Sequence, residues 1–524
     1  MGATATPAGR LEAIRRVDWR FLLPEAAFGT VLVHGRADGA LLAGLELVAR
    51  SVAVSPGRTG EGGRPDLVVT IGPDDGAVRA AIGQVPDGGW IYIGSGAGRT
   101  GQRASLRQVA RAAQHGGLVV IRRSWHWPSE PSALEIVPLD DAGAIRFALD
   151  RRRSGRAARL KAALAGVAGR LGVLDTIVPG WSVVARRPDA GVIGNGRDTT
   201  VDSVRAHLPR DADSAVVLLT PRFRASRHVI GLALRADSGG LAAVIKLPRL
   251  ADDDGGIRRE GAALARAAAA GVRGVPAVLA LDGPPRPVLV ESALDGVVIG
   301  SRDVRARPTE LLGEVEAWTR TLAGPADRSH VPFRALFAPA LERIAVAVGA
   351  DEPADILDAS PGSDELSPRA IARLATRTAA ILDPFGDVAL PVVLEHGDLA
   401  PPNLLRLRDG GLGAVDWEVA DVDGLPLGDL LFFAAFTAGS LAVGADDAPP
   451  AGSLTLAEAA IVRQAADLGI DPTLVPALTL AMWARWADRQ LARFADGSTP
   501  LVERLPARHV RSWDAAVARL DAPR

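Results

Sequence analysis

The sequence predicts a multidomain chain, with a doubly wound α/β domain first and an α+β region after it. Three observations lead there. Between residues 15 and 188 short apolar runs alternate with helical stretches, the pattern of a mainly parallel sheet. Between 201 and 300 three apolar runs, Ala215–Leu219, Val229–Leu234 and Leu241–Leu247, follow one another across short loops, the pattern of antiparallel strands. From Glu310 onward the apolar residues recur at helical spacing. The expected division is therefore 1–188, a linker at 189–200, a β-rich part at 201–300 and a helical part at 301–524. A length of 524 residues suits about three to four domain units.

In the first part, Thr30–Gly35, Val52–Ser55, Asp66–Gly72, Gly89–Gly94 and Gly117–Arg122 read as strands. Asp38–Ser51 and Gln102–His115 read as helices, and Trp181–Arg186 as a last returning strand. Residues 15–188 resemble a class I S-adenosylmethionine-dependent methyltransferase, a Rossmann-like fold, with Val31-Leu-Val-His-Gly35-Arg-Ala-Asp-Gly39 at the glycine-rich turn. That turn is sparser than the family's, and Val54-Ser55-Pro56-Gly57 carries no acid for ribose hydroxyls. The domain is read as degenerate and used for packing or partner contact, with S-adenosylmethionine binding left open. His34 and His126 stand alone and read as structural. Asp150–Arg156 and Lys161 read as a solvated face. Gly191, Gly194 and Gly196 mark the linker.

Only two lysines, Lys161 and Lys246, occur among 60 basic residues, and only two asparagines, Asn195 and Asn403. A residue type that arginine has otherwise replaced is retained for more than its charge. Lys246 ends an apolar strand, where an unpaired charge is costly. Glu260 is the only carboxylate in the first turns of the helix that follows. The loop between Leu219 and Val229, Thr220–His228, contains no glycine; Arg222, Arg224 and Arg227 are its cations.

The densest chemistry lies in Glu395–Glu418. Asp398 is followed by Asn403 and, thirteen residues on, by Asp416. Leu404–Leu407 and Leu412–Val415 flank Asp409-Gly410, a two-residue turn signal that predicts a hairpin. A two-residue loop sets Arg408 against Gly411 and Asn403 against Asp416, so an amide oxygen and a carboxylate converge at one end. Hard oxygen ligands of this kind suit Mg²⁺, which binds through few carboxylates and substrate phosphates.

His396-Gly-Asp398-x4-Asn403 with Asp416-Trp-Glu418 resembles the signature of the aminoglycoside phosphotransferase and choline kinase group. The resemblance implies a bilobal protein-kinase-like fold over 201–524, with the nucleotide between a β-rich and a helical lobe. It implies that Asp398 takes the proton of the acceptor hydroxyl and that Asn403 and Asp416 hold Mg²⁺. It further implies that Lys246 touches the nucleotide phosphates, oriented by Glu260. The backbone at Glu291–Ala293 would meet adenine, His396 would hold its loop, and Asp429 would brace that loop. ATP is the expected nucleotide, with GTP open, and the reaction is transfer to a hydroxyl of a small molecule.

Composition bounds the alternatives. A net charge of −1 gives no basic field for nucleic acid. The absence of cysteine excludes disulfides and thiolate metal sites and fits a cytoplasmic protein. The longest apolar run, Leu430–Ala445, is shorter than the roughly 20 residues of a membrane-spanning helix and reads as a buried helix. Two other functions stay open: an inactive nucleotide-binding scaffold, and a bifunctional kinase and methyltransferase.

Overall fold

The structure is a computed structural model. It describes the chain apart from residues 1–6, 36, 56–63, 97–103, 152–177, 179, 190–199, 201–203, 223–225, 251–252, 282–286, 325–327, 350–366, 443–450, 494–503 and 522–524. The segment around Lys161, most of the 189–200 linker with Asn195, Pro56-Gly57 and Arg224 lie outside the described residues. The chain forms two compact units: Met1–Asp254 with Leu279–Ala293, and Gly255–Val278 with Leu294–Arg524.

Short runs rich in valine, isoleucine and leucine make the first unit a sheet protein. Its strands are β1 (Phe28–His34), β2 (Ala49–Ser55), β3 (Leu67–Ile71), β4 (Trp90–Gly94), β5 (Val119–Trp127), β6 (Glu135–Pro138) and β7 (Trp181–Arg186). They continue as β8 (Ala212–Leu219), β9 (His228–Arg235), β10 (Leu241–Pro248), β11 (Val278–Leu281) and β12 (Leu289–Ser292). All twelve share one sheet in the order β11-β12-β10-β9-β8-β6-β5-β7-β4-β3-β1-β2.

The expected parallel sheet is confined to one end. β1 pairs in parallel with β2 and β3, and β3 with β4. β7 inserts between β4 and β5, and from β4 as far as β12 the pairings are antiparallel. The expected helix Asp38–Ser51 stops at Glu46: it runs from Gly39, with the Asp38 side chain capping Leu41 N, and Ala49–Ser51 join β2 instead. β-Branched residues from Val52 onward favour the strand once β1 offers a pairing edge.

The sequence-based division put residues 1–188 and 201–300 in separate parts of the chain. The sheet runs through both, with Glu135 and Ile136 of β6 opposite Leu219 and Leu218 of β8. One apolar cluster joins Trp19, Val31, Tyr92 and Ile136 to Val216, Val229, Ile245 and Val290. Beneath it the fully buried Arg249, just past β10, holds Asp18 at 2.9 Å and donates to the carbonyls of Ser226 (2.5 Å) and Pro221 (3.0 Å). Breaking such a buried pair costs about 3–5 kcal/mol, so the pair ties the start of the chain to the ends of the β8–β9 loop. The two lone histidines are structural as read. His126 bonds the Ser182 hydroxyl at 2.8 Å, with burial pressing its pKa down to about 3, and His34 bonds Gln84.

The second unit is helical. Gly255–Ala269, Pro308–Leu322, Phe333–Ala347, Pro368–Leu382, Gly428–Ala442, Ala451–Asp467, Val475–Arg493 and Ala507–Asp521 enclose one core that includes Trp417, Trp483, Trp486 and Trp513. Trp483 and Trp486 are thus core residues, and the apolar run after Asp429 is helical as far as Ala442, with Leu430, Leu431, Phe432 and Phe433 buried. No helix among the described residues is long and apolar enough to cross a membrane. Short strands interrupt the helices where the chemistry-bearing stretch lies.

Candidate active site

The stretch begins on the strand Val393–Glu395, antiparallel to Asp421–Gly424, and leaves it through His396-Gly397-Asp398. Gly397 has φ 80°, and a Cβ there would sit 2.7 Å from the Val419 carbonyl oxygen, so only glycine passes without strain. The next turn, Pro401–Asn403, delivers Asn403 to the hairpin. The Asn403 amide donates to the Asp398 carbonyl at 2.9 Å, which fixes the asparagine to the loop that carries the acid.

The hairpin forms, but its register differs by one residue from the expected one. Leu404 faces Ala414 and Leu405 faces Gly413, and Val415 N bonds Asn403 O at 3.0 Å. Asn403 is therefore opposite Val415 rather than Asp416. The reason is the loop: Leu407 N bonds Gly411 O, enclosing three residues, with Gly410 at φ 88°. A left-handed glycine closing a three-residue loop competes with the two-residue turn that Asp-Gly suggests. Asp416 lies just beyond the ladder at φ 68°, left-handed for a non-glycine residue, which turns the chain there.

Two anchors hold the acid-bearing loop. Asp429, in the first turn of the helix Gly428–Ala442, accepts His396 N at 2.7 Å and Gly397 N at 2.9 Å. Burial, and then the nearby Glu395, push its carboxyl above the usual carboxylate range, against those two N–H groups. His396 is fully buried: Nε2 lies 3.0 Å from Val415 O, and the ring packs 4.7 Å from that of Trp417. Burial lowers its pKa, as befits a ring that holds a loop.

Sequence reading missed the third support. Helix Val475–Arg493 presents Arg485, Arg489 and Arg493 at four-residue intervals, one face of a helix. Arg485 bonds Glu395 at 2.7 Å and Asp421 at 2.9 Å. Arg489 bonds Glu395 and the Gly397 carbonyl. Arg493 reaches Asp398 Oδ2 at 3.4 Å and Glu418 Oε1 at 2.9 Å. Burial alone would raise the Glu395 carboxyl; Arg485 and Arg489 reverse that and hold it well below its usual value. Burial likewise disfavours the Arg493 charge, and Glu418, Asp398 and Asp416 together more than restore it, so all three acids lie near this guanidinium. The i, i+4, i+8 arginine spacing was visible in the sequence, but its partners were not.

Glu260, on helix Gly255–Ala269, is fully buried and accepts Trp417 N at 2.8 Å, so it holds the turn that follows Asp416. Arg259 beside it donates to the Glu418 carbonyl at 2.9 Å. The second unit thus gathers Asp398, Asn403, Asp416 and Glu260 around one turn. Lys246 belongs to the first unit, where it is buried on β10 with Glu291 of β12 at 3.7 Å. Glu291 was read for its backbone alone; its side chain is the addition. Two cations of the β8–β9 loop are engaged at home, Arg222 with the Ala133 and Pro131 carbonyls and Arg227 with Asp253.

The donor set fits a magnesium ion held jointly with phosphates. The Asn403 amide nitrogen is used by the Asp398 carbonyl, and its oxygen accepts no hydrogen bond among the described residues. No group of three or more His, Cys, Asp or Glu side chains among them forms a protein-only metal cage. Mg²⁺ keeps waters and takes phosphate oxygens rather than filling its shell from protein.

An acid-bearing loop, a hairpin and a second acid ahead of a buried helix belong to a kinase-like fold, which covers the C-terminal part of the chain. Residues 232–448 match the model of the phosphotransferase enzyme family, so the resemblance read from Asp398, Asn403 and Asp416 is shown over that span. Among solved structures the chain is similar to Plasmodium vivax ethanolamine kinase, at 10% identity and TM-score 0.39, over 60% of this chain and 82% of that one. It is similar to a macrolide 2'-phosphotransferase from Brachybacterium faecium, at 20% identity and TM-score 0.34, over 57% of this chain and 89% of that one. A third is an aminoglycoside phosphotransferase from Streptomyces rimosus, at 18% identity and TM-score 0.33, over 49% of this chain and 89% of that one. At these TM-scores no property of those enzymes passes to this chain. Among curated proteins none matches it.

Proposed function

We propose that the chain is a small-molecule kinase that transfers the γ-phosphoryl group of ATP to a hydroxyl of its acceptor. The observation that carries this reading is the state of Asp398. Its Oδ2 is held by Arg493, while its Oδ1 accepts no hydrogen bond among the described residues. A carboxylate fixed by one oxygen and open at the other is suited to orient and deprotonate a hydroxyl. The acceptor oxygen attacks the γ-phosphorus, its proton passes to Asp398, and the bond to the departing ADP oxygen breaks. Asn403 and Asp416 would hold Mg²⁺, which when bound neutralises charge on the phosphates. Lys246 would touch the phosphates, and Glu260 would steady the Asp416 turn. Little else is required, since positioning and charge neutralisation carry phosphoryl transfer. On this reading 201–300 and 301–524 are the two lobes, and 1–188 is a domain without methyl-transfer activity.

The test is a labelled γ-phosphate transfer screen over sugars, amino alcohols and aminoglycosides with wild type and Asp398→Ala. The variant is expected to lose at least about a hundredfold in transfer while binding Mg-ATP normally. Equal turnover in both would overturn the reading. A scaffold is the second reading, favoured by a glycine-free β8–β9 loop whose Arg222 and Arg227 are engaged elsewhere. It is supported if wild type binds Mg-ATP and phosphorylates no acceptor.

A further inference from the structure

Arg493 is the last residue of helix Val475–Arg493 and the third arginine of its ladder. The first two, Arg485 and Arg489, serve Glu395 and the loop backbone. Arg493 alone reaches the acid proposed as base. Its Nη2 joins Asp398 Oδ2 at 3.4 Å to Glu418 Oε1 at 2.9 Å, with Nη1 at 3.5 Å from the same Asp398 oxygen. Arg493 and Asp398 are each 19% exposed and Glu418 is 23% exposed, so the cluster is neither free in water nor sealed from a substrate.

We infer that Arg493 is a positioning residue that locks the Asp398 loop and the Asp416–Glu418 turn to each other. The inference rests on the kinase reading of the site. Asp398 and Asp416 lie on opposite sides of the hairpin in sequence, and their relative placement decides whether base and metal ligand act on one phosphoryl group. The 416–418 turn is held by helix Gly255–Ala269, through Glu260 to Trp417 N and Arg259 to the Glu418 carbonyl. Arg493 holds the Glu418 side chain of the same turn and ties that guanidinium to Asp398.

The two bond lengths define the role. The short contact is to Glu418, which anchors the guanidinium. The longer one to Asp398 steers one carboxylate oxygen without a tight fork, and the other oxygen stays open for the acceptor. A planar guanidinium can address two carboxylates from one side, which an ammonium cannot do with the same geometry. A positive charge fixed on Glu418, two residues from Asp416, also opposes a metal ion there, so Arg493 sets the affinity for the ion as well as the geometry.

The experiment uses the full chain with Arg493→Met and Arg493→Lys, beside wild type. Four quantities are read: kcat and KM for ATP in labelled-phosphate transfer, Mn²⁺ affinity by electron paramagnetic resonance with a non-hydrolysable ATP analogue, and melting temperature. For Arg493→Met, kcat is expected to fall roughly ten- to a hundredfold with KM within about threefold of wild type. Mn²⁺ is expected to bind about threefold tighter or more, because a neighbouring cation is gone. Arg493→Lys restores the Mn²⁺ affinity through its charge but not kcat, since the fork is lost. Unchanged kcat and Mn²⁺ affinity in Arg493→Met overturn the inference. So does a parallel loss of kcat, Mn²⁺ affinity and melting temperature in both variants, which marks a merely structural role. Failure of wild type to bind Mn²⁺ with the analogue overturns the kinase reading itself, an outcome separate from either of these.

Discussion

Asp429→Ala isolates the support beneath the acid-bearing loop. The carboxylate accepts His396 N at 2.7 Å and Gly397 N at 2.9 Å, in a site where Asp429 is 6% exposed and His396 fully buried. Removing it orphans two buried N–H groups, at about 1–3 kcal/mol each. Part of that loss is offset, because Glu395 and burial both disfavour the Asp429 charge in the wild type. The expected net loss is about 3 kcal/mol, or about 6–12 °C in melting temperature for a unit of this size. Those two bonds are one of the supports that place the Asp398 loop, so transfer is expected to fall about a hundredfold even below the melting transition, the usual penalty for a displacement of roughly 1 Å. Calorimetry on the full chain measures the first effect and the labelled-phosphate assay at 20–25 °C, roughly ambient, measures the second. Asp429→Asn keeps one acceptor and is expected to lose about half as much stability. A melting temperature for Asp429→Ala within about 1 °C of wild type would refute the reasoning, since two orphaned buried donors cannot be free of cost.

Acid stability follows from Glu395. Its folded pKa is held below the usual 4.5 by Arg485 and Arg489, so its contribution is present above pH 4.5 and is lost as pH falls below it. Urea melts of wild type are expected to show that loss, and Arg485→Met to be less stable by about 3 kcal/mol at neutral pH with a shallower acid slope. An unchanged slope in the variant would refute the assignment. Lys246→Met removes the ammonium beside Glu291 on the sheet of the first unit. Calorimetric titration is expected to show Mg-ATP affinity reduced about tenfold or more, with transfer at saturating nucleotide reduced as well; unaltered affinity would remove Lys246 from the nucleotide site.

The sequence determined a good deal by itself. Asn403 and Asp416 were legible as candidate ion ligands through residue type and spacing around a hairpin, and Asp398 as a candidate base through the resemblance its motif carries. Asp429 was legible only through the resemblance, since an acid in the first turn of a helix is also an ordinary complement to the helix dipole. The hairpin register was not. Asp409-Gly410 is compatible with a two- or a three-residue loop, and local propensity leaves the choice to the contacts each places inside. Only the folded chain chose the three-residue form, set Asn403 opposite Val415 and gave Asp416 its left-handed turn.

The arginine ladder shows the same limit. In sequence, Arg485, Arg489 and Arg493 are three of many arginines in a chain that uses arginine nearly everywhere. Their meaning depends on which loop that helix face meets, a contact about 90 residues distant along the chain. Likewise nothing local in β6 or β8 announces that the two pair, so the division expected from composition gave no hint of a continuous twelve-stranded sheet. Side-chain chemistry is written residue by residue and can be read that way. Pairing edges and long-range ion pairs are settled by burial and backbone hydrogen bonding among distant segments, and those became visible only in the tertiary structure.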